Sequence, residues 1–106
     1  MTKYDKLKDL TNEILRIYVK KNTDYGNSFS KSFEEFGLVA PVVRMSDKME
    51  RIKTLTKSED IKVTDESIRD TLVDLANYAL MTVVEIDLEN QIEEKESLFN
   101  GLGEAI

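Results

Sequence analysis

Between Leu72 and Val84 the chain is apolar almost without a break: of thirteen residues, only Asp74, Asn77 and Thr82 are frankly polar. At about 100° per residue, a helix over this stretch carries hydrocarbon around most of its circumference. Such a helix must be buried, within its own domain or against another subunit. The exception is one stripe. Asp70, Asp74 and Asn77 fall within about 60° of one another on the helix, and a buried carboxylate is costly unless it is paired or bound to a metal. Asp70 and Asp74 therefore call for a cation. Arg44, Lys48, Arg51, Lys53 and Arg69 are available for a structural ion pair. A metal or ligand site is the alternative, and it requires more carboxylates than cations to converge there.

The rest of the chain reads as further helices. Leu7, Leu10, Ile14, Ile17 and Tyr18 recur at helical spacing, predicting an amphipathic helix over 4–21. The segment 22–28 is rich in Asn, Asp, Ser and Gly and predicts a turn around Gly26. A short helix follows over 30–36, stopped by Gly37. Pro41, the only proline, suits the first turn of a helix over 40–56 with Val42, Met45, Met49 and Ile52 as its apolar face. Residues 57–63 read as a polar connection. Thr64 then suits an N-cap, with Asp65 and Glu66 in the first turn and Val63 against Ile68 as a hydrophobic staple. This last helix should run from 65 to at least 88 and as far as 98, and the glycine-containing tail 99–106 should be loose. The expected architecture is all-α: one domain over 1–98, a helical bundle of three long helices and one short one. Tyr4, Phe33, Phe36 and Phe99 are expected in the core or an interface, and 93–96 as a solvated helix end.

Composition narrows the chemistry. The net charge of −6 argues against binding a nucleic-acid backbone, which needs clustered Lys and Arg. Histidine and cysteine are both absent, which disfavours zinc and excludes Ser–His catalysis. Metal chemistry would have to use oxygen ligands, hence magnesium, manganese or calcium. Nothing in the sequence resembles a membrane span or a secretory leader, so cytoplasm is the expected location.

Two segments add to the acidic stripe. Asp47 and Glu50 form an i, i+3 acidic pair. With Asp70 and Asp74 on an antiparallel neighbour, they would make a four-carboxylate cluster suited to hydrated magnesium. Against this, Asp47 points away from the predicted apolar stripe of its helix and lies between Arg44 and Arg51, which could pair with it. The turn from Lys20 to Phe29 gathers Lys20, Lys21, Asp24, Tyr25, Ser28 and Phe29 around Gly26, the ingredients for phosphate and base contacts. It reads equally as a solvated helix end with two aromatics turned inward.

The runs Lys21-Asn-Thr-Asp-Tyr-Gly-Asn-Ser-Phe29, Phe33-Glu-Glu-Phe-Gly37, Arg44-Met-Ser-Asp-Lys-Met-Glu-Arg-Ile52 and Asp65 to Met81 resemble, in order, the nucleotide-modification-associated domain family. These are small helical proteins frequent in phages and prophages. More remotely the chain is similar to the all-α nucleoside triphosphate pyrophosphohydrolases of the MazG and dimeric dUTPase group. That group's Glu-x-x-Glu and Glu-x-x-Asp pairs bind magnesium in a bundle usually completed by dimerisation. The resemblance implies Asp47, Glu50, Asp70 and Asp74 as metal ligands and catalytic residues for Mg²⁺ or Mn²⁺. It further implies that Lys20 or Lys21 neutralises phosphate, that Tyr25 or Phe29 stacks on a base, and that Asn77 orients the ligand, with Arg44 and Arg51 nearby. The motif departs at its third position: its spacing places an acid at Thr71, whereas the acid here is Asp70.

The expectation is therefore a nucleotide-directed protein, with magnesium-dependent pyrophosphohydrolysis as the leading activity. A binding protein that captures a nucleotide or nucleotide-derived signal intact is the alternative, and a helical interaction module the third. A helix this apolar on so short a chain also predicts a homodimer or larger homo-oligomer.

Overall fold

In the computed structural model the chain forms four helices, α1 (Lys3–Tyr25), α2 (Ser28–Phe36), α3 (Val39–Leu55) and α4 (Ile61–Ala105). The structure describes residues 1–105, apart from the side chains of residues 25, 61–63 and 101–105. No strand occurs among the described residues, so the protein is all-α, with one short helix and three long ones.

Each helix boundary has a local cause. Thr2 caps α1 reciprocally: its hydroxyl accepts from the Asp5 N–H at 3.1 Å, and the Asp5 carboxylate accepts from the Thr2 N–H at 3.0 Å. The far end of α1 runs four residues beyond its predicted limit of 21 and absorbs Asn22–Asp24 into its last turn, where the Thr23 hydroxyl donates to the Val19 carbonyl at 2.9 Å. Turn-forming side chains lower helix propensity by only a few tenths of a kcal/mol each, too little to stop a helix already propagating. Gly26 stops it, with a left-handed φ of 66°. Gly37 ends α2 in the same way, its N–H donating to the Phe33 carbonyl at 2.7 Å. Pro41 lies in the first turn of α3, as predicted.

The start of α4 corrects the sequence reading. The helix begins at Ile61, and the Thr64 N–H already donates to the Asp60 carbonyl at 3.0 Å. Thr64 is therefore an interior, buried helical residue rather than an N-cap. The proposed staple involves Val63, whose side chain is outside the described residues. At the other end α4 continues well past 98, through most of the segment expected to be a loose tail.

The α3–α4 pair is the body of the fold. Arg44 lies over Tyr78, Lys48 meets Asp74 and Arg51 meets Thr71, so the two helices run antiparallel. The half-buried face of α3 holds Met45, Lys48, Ile52 and Leu55 behind Pro41, whereas Val42 and Met49 of the predicted apolar face are exposed. A polar side chain, Lys48, has thus taken an inward position, drawn by a carboxylate across the interface. Contact between α1 and α4 is sparser and includes the ion pairs Arg69–Glu13 at 3.1 Å and Lys21–Asp74 at 3.6 Å.

The interior of a single chain is thin. Among the described residues only Pro41, Thr64, Thr71, Asn77 and Thr82 are buried, and no large hydrophobic residue is. Leu72, Leu80, Val83 and Val84, from the most apolar stretch of the sequence, stand half exposed. Tyr4, Phe36 and Phe99, expected in a core or an interface, are exposed as well, and Phe33 alone of that group is half-buried. The chain extends over 69 × 34 × 24 Å, because α4 beyond about residue 87 projects with every side chain up to 100 exposed.

Candidate functional site

A cavity of about 820 Å³ lies between α1, the α1–α2 turn and the middle of α4. Its walls are built by helical spacing. On α4, Asp74, Asn77, Tyr78, Met81 and Glu85 recur every three or four residues, so one flank of the helix lines it. On α1, Thr11, Ile14, Leu15, Tyr18 and Lys21 do the same from the opposite wall. The Gly26 turn lays Asn27, Ser28, Phe29 and Ser30 across one end.

The aromatic part of the wall centres on Tyr78. Its ring stacks on Phe29 with centroids 6.1 Å apart and planes 29° from parallel, and the Arg44 guanidinium sits 5.9 Å from its centroid. These contacts fix Tyr78 between an apolar face and a cation. Nearby, the Ser30 hydroxyl donates to the Glu85 carboxylate and ties α2 to α4.

Asn77 is the most informative side chain of the site. The residue is 6% exposed and lines the cavity. Its amide makes no hydrogen bond to any described residue, yet no fully enclosed polar atom among them lacks a partner. Neither amide atom is therefore fully enclosed, on a residue that lines the cavity. A buried amide presents a donor and an acceptor side by side, and leaving them unmatched in an apolar wall costs free energy that a complementary ligand would recover.

At Asp74 the acidic stripe takes the ion-paired form, one of the two arrangements that the sequence left open. Asp74 is half-buried and is held by two cations, Lys21 Nζ at 3.6 Å and Lys48 Nζ at 3.5 Å. Asp70 is exposed, as are Asp47 and Glu50, and Glu50 pairs with Lys53 at 3.2 Å. The α3–α4 register does bring Asp47 level with Asp74, since its neighbour Lys48 touches that residue. Yet among the described residues no three carboxylates gather in a way that could hold a metal ion. Where the stripe meets the cavity, two lysines surround the one carboxylate of Asp74.

Of the other sequence candidates, Lys21, Ser28, Phe29, Arg44 and Asn77 line the cavity with Asp74. Lys20 and Asp24 are exposed and lie outside it. Arg51 is turned to the α3–α4 seam, where its Nε–H donates to the Thr71 hydroxyl at 3.3 Å. The Tyr25 side chain is outside the described residues. Sequence reasoning missed Tyr78, Tyr18, Ser30 and Glu85. Tyr78 could have been found from its place beside Asn77 and one turn after Asp74.

The family described as Nucleotide modification associated domain 1 matches residues 21–86, which span the last residues of α1 from Lys21, all of α2 and α3, and the packed part of α4. The chain belongs to this family. The match contains every cavity residue named above from Lys21 to Glu85 and leaves out most of α1 and the projecting end of α4. No curated protein and no solved structure matches the chain. No helix among the described residues is long and apolar enough to cross a membrane.

Proposed function

We propose that the protein binds a nucleotide or nucleotide-derived small molecule in the cavity between α1 and α4. The observation that carries this reading is the Asn77 amide, nearly buried, unpaired within the described chain and part of a cavity wall that also holds aromatic rings. An amide matches the adjacent donor and acceptor on the edge of a nucleobase. Phe29, braced by Tyr78, supplies a ring for stacking, and Lys21 and Arg44 supply positive charge for a phosphate. The volume falls within the roughly 300–1,000 Å³ of small-molecule sites. The family description, which names a nucleotide-modification-associated domain over residues 21–86, also supports it.

Magnesium- or manganese-dependent pyrophosphohydrolysis is the second reading, favoured by the register that sets Asp47 level with Asp74. Against it stands the pairing of Asp74 with two lysines rather than with other carboxylates. Capture of the ligand intact is therefore the reading better supported by the geometry. Calorimetric titration with nucleoside mono-, di- and triphosphates tests it. Saturable binding that is lost in Phe29→Ala and Asn77→Ala is expected, and the absence of saturable binding by any of them would overturn it.

A further inference from the structure

The two ends of the cavity differ in charge. Toward one, Lys21 meets Asp74, and the Arg44 guanidinium lies over the ring of Tyr78 one turn further on. Toward the other, Glu85 lines the wall and accepts a hydrogen bond from the Ser30 hydroxyl. Asp74, Tyr78 and Glu85 share one flank of α4, within about 40° of one another at 100° per residue. From Asp74 to Glu85 the helix advances about 16 Å, at 1.5 Å per residue. That separation is on the scale of a base, sugar and phosphate laid end to end.

Glu85 is half-buried and, unlike Asp74, forms no ion pair with any described residue. A carboxylate has about four lone-pair sites, and Ser30 meets one of them. The single hydroxyl proton of Ser30 is committed to this bond, so the Ser30–Glu85 pair presents only acceptors to the cavity. Phe29 and Ser30 are consecutive in α2. The ring available for stacking is therefore next in sequence to the hydroxyl that holds the carboxylate.

Asn77 and Glu85 differ in what they can distinguish. A carboxamide turned by half a revolution exchanges its donor and acceptor, so Asn77 suits an amino edge and a keto edge alike. An ionised carboxylate only accepts. It rewards an N–H, whereas a carbonyl oxygen set against it leaves two acceptors without a donor.

We infer that the ligand is a nucleotide whose base carries an exocyclic amino group, that Glu85 accepts from this group, and that Ser30 is the positioning residue for the carboxylate. The inference rests on the nucleotide reading of the cavity and names the ligand class within it. Cytosine and adenine present an amino group where uracil and hypoxanthine present a keto oxygen. The cationic end then receives the phosphate, so the charge of the cavity orients the ligand as well as selecting its base.

Calorimetric titration with the 5′-mono- and triphosphates of cytidine, uridine, adenosine and inosine tests it. Cytidine against uridine and adenosine against inosine are matched pairs of equal charge, so general repulsion between Glu85 and phosphate cancels in each ratio. In at least one pair the amino nucleotide should bind about tenfold or more tightly than its keto partner. Glu85→Gln, whose side-chain amide can turn either way, should bring that ratio to within about twofold. Ser30→Ala should narrow it, and Ser30→Thr, which keeps the hydroxyl, should preserve it. Saturable binding with equal affinities in every pair overturns the inference and leaves the nucleotide reading standing. Saturable binding of none of these nucleotides overturns both. A preference that Glu85→Gln leaves unchanged contradicts the role of Glu85, and one that Ser30→Ala leaves unchanged contradicts the role of Ser30.

Discussion

Lys48 on α3 reaches across the helix interface to place its Nζ 3.5 Å from Oδ2 of Asp74 on α4. Lys21 approaches the other carboxylate oxygen from α1 at 3.6 Å, so Asp74 joins three helices through two ion pairs. The side chain is a third exposed. Partly solvated pairs of this length contribute about 0–1 kcal/mol each. Asp74→Asn should therefore lower stability only slightly, by about 1 kcal/mol in denaturant unfolding.

The same substitution separates the two functional readings. Removing the carboxylate frees Lys21 at the cavity wall, so an anionic ligand held by cations should bind several-fold more tightly to Asp74→Asn. A site that needs Asp74 to hold magnesium predicts loss of activity instead. Titration of wild type and variant with the same nucleotide distinguishes these outcomes.

Asn77→Leu should leave the fold intact, because the amide has no partner among the described residues to orphan. Ligand affinity should fall by about tenfold to a hundredfold, the cost of unmatched hydrogen-bonding groups on the ligand edge, about 1–3 kcal/mol. Thermal unfolding measured beside binding checks both halves of this expectation. A loss of stability comparable to the loss of affinity would show the amide to be structural.

Gly26→Ala tests how the cavity wall is built. The glycine φ of 66° belongs to the left-handed region, and an added Cβ would meet no atom within 4 Å. Any cost is conformational rather than steric crowding, about 1–2 kcal/mol. Mid-point denaturant concentration should fall accordingly, and the angle between α1 and α2 should relax with it.

Acid should loosen α1 first. Asp5 is held below the ordinary carboxyl range by its hydrogen bonds from the backbone and side chain of Thr2. Glu13 is lowered by its hydrogen bond from Arg69 and by that residue's charge. A folded-state pKa below the unfolded value means stability present above the unfolded pKa and lost as pH falls through the folded one. Helicity should therefore decline below about pH 4. Glu13→Gln should flatten part of that decline, as circular dichroism across the acid range would show.

The all-α class and the positions of Gly26, Gly37 and Pro41 were legible because local rules govern them. Glycine has access to positive φ, and proline is tolerated in a first turn. The start of α4 was misread because Thr64 has the chemistry of a cap, and Asp60 four residues earlier completes the helical hydrogen bond instead. The acidic stripe was legible as a set of neighbours, since helical periodicity alone places Asp70, Asp74 and Asn77 on one flank. Its partners were not. Lys21 lies on a helix fifty-three residues away in sequence, and its approach to Asp74 depends on how α1 crosses α4, which no local pattern encodes. Burial misled for a related reason. The hydrophobic stretch Leu72–Val84 implies cover on most sides, but not which molecule supplies it, and within one chain half of that cover is missing.

The central claim, that the α1–α4 cavity holds a nucleotide, is tested most directly by retention. The full chain is incubated with common and modified nucleotides, with and without Mg²⁺, and freed of unbound ligand by filtration. Mass spectrometry of the retained fraction should find at least one nucleotide intact on the wild-type protein and absent from Asn77→Ala. A retained fraction free of nucleotides under both conditions would contradict the claim.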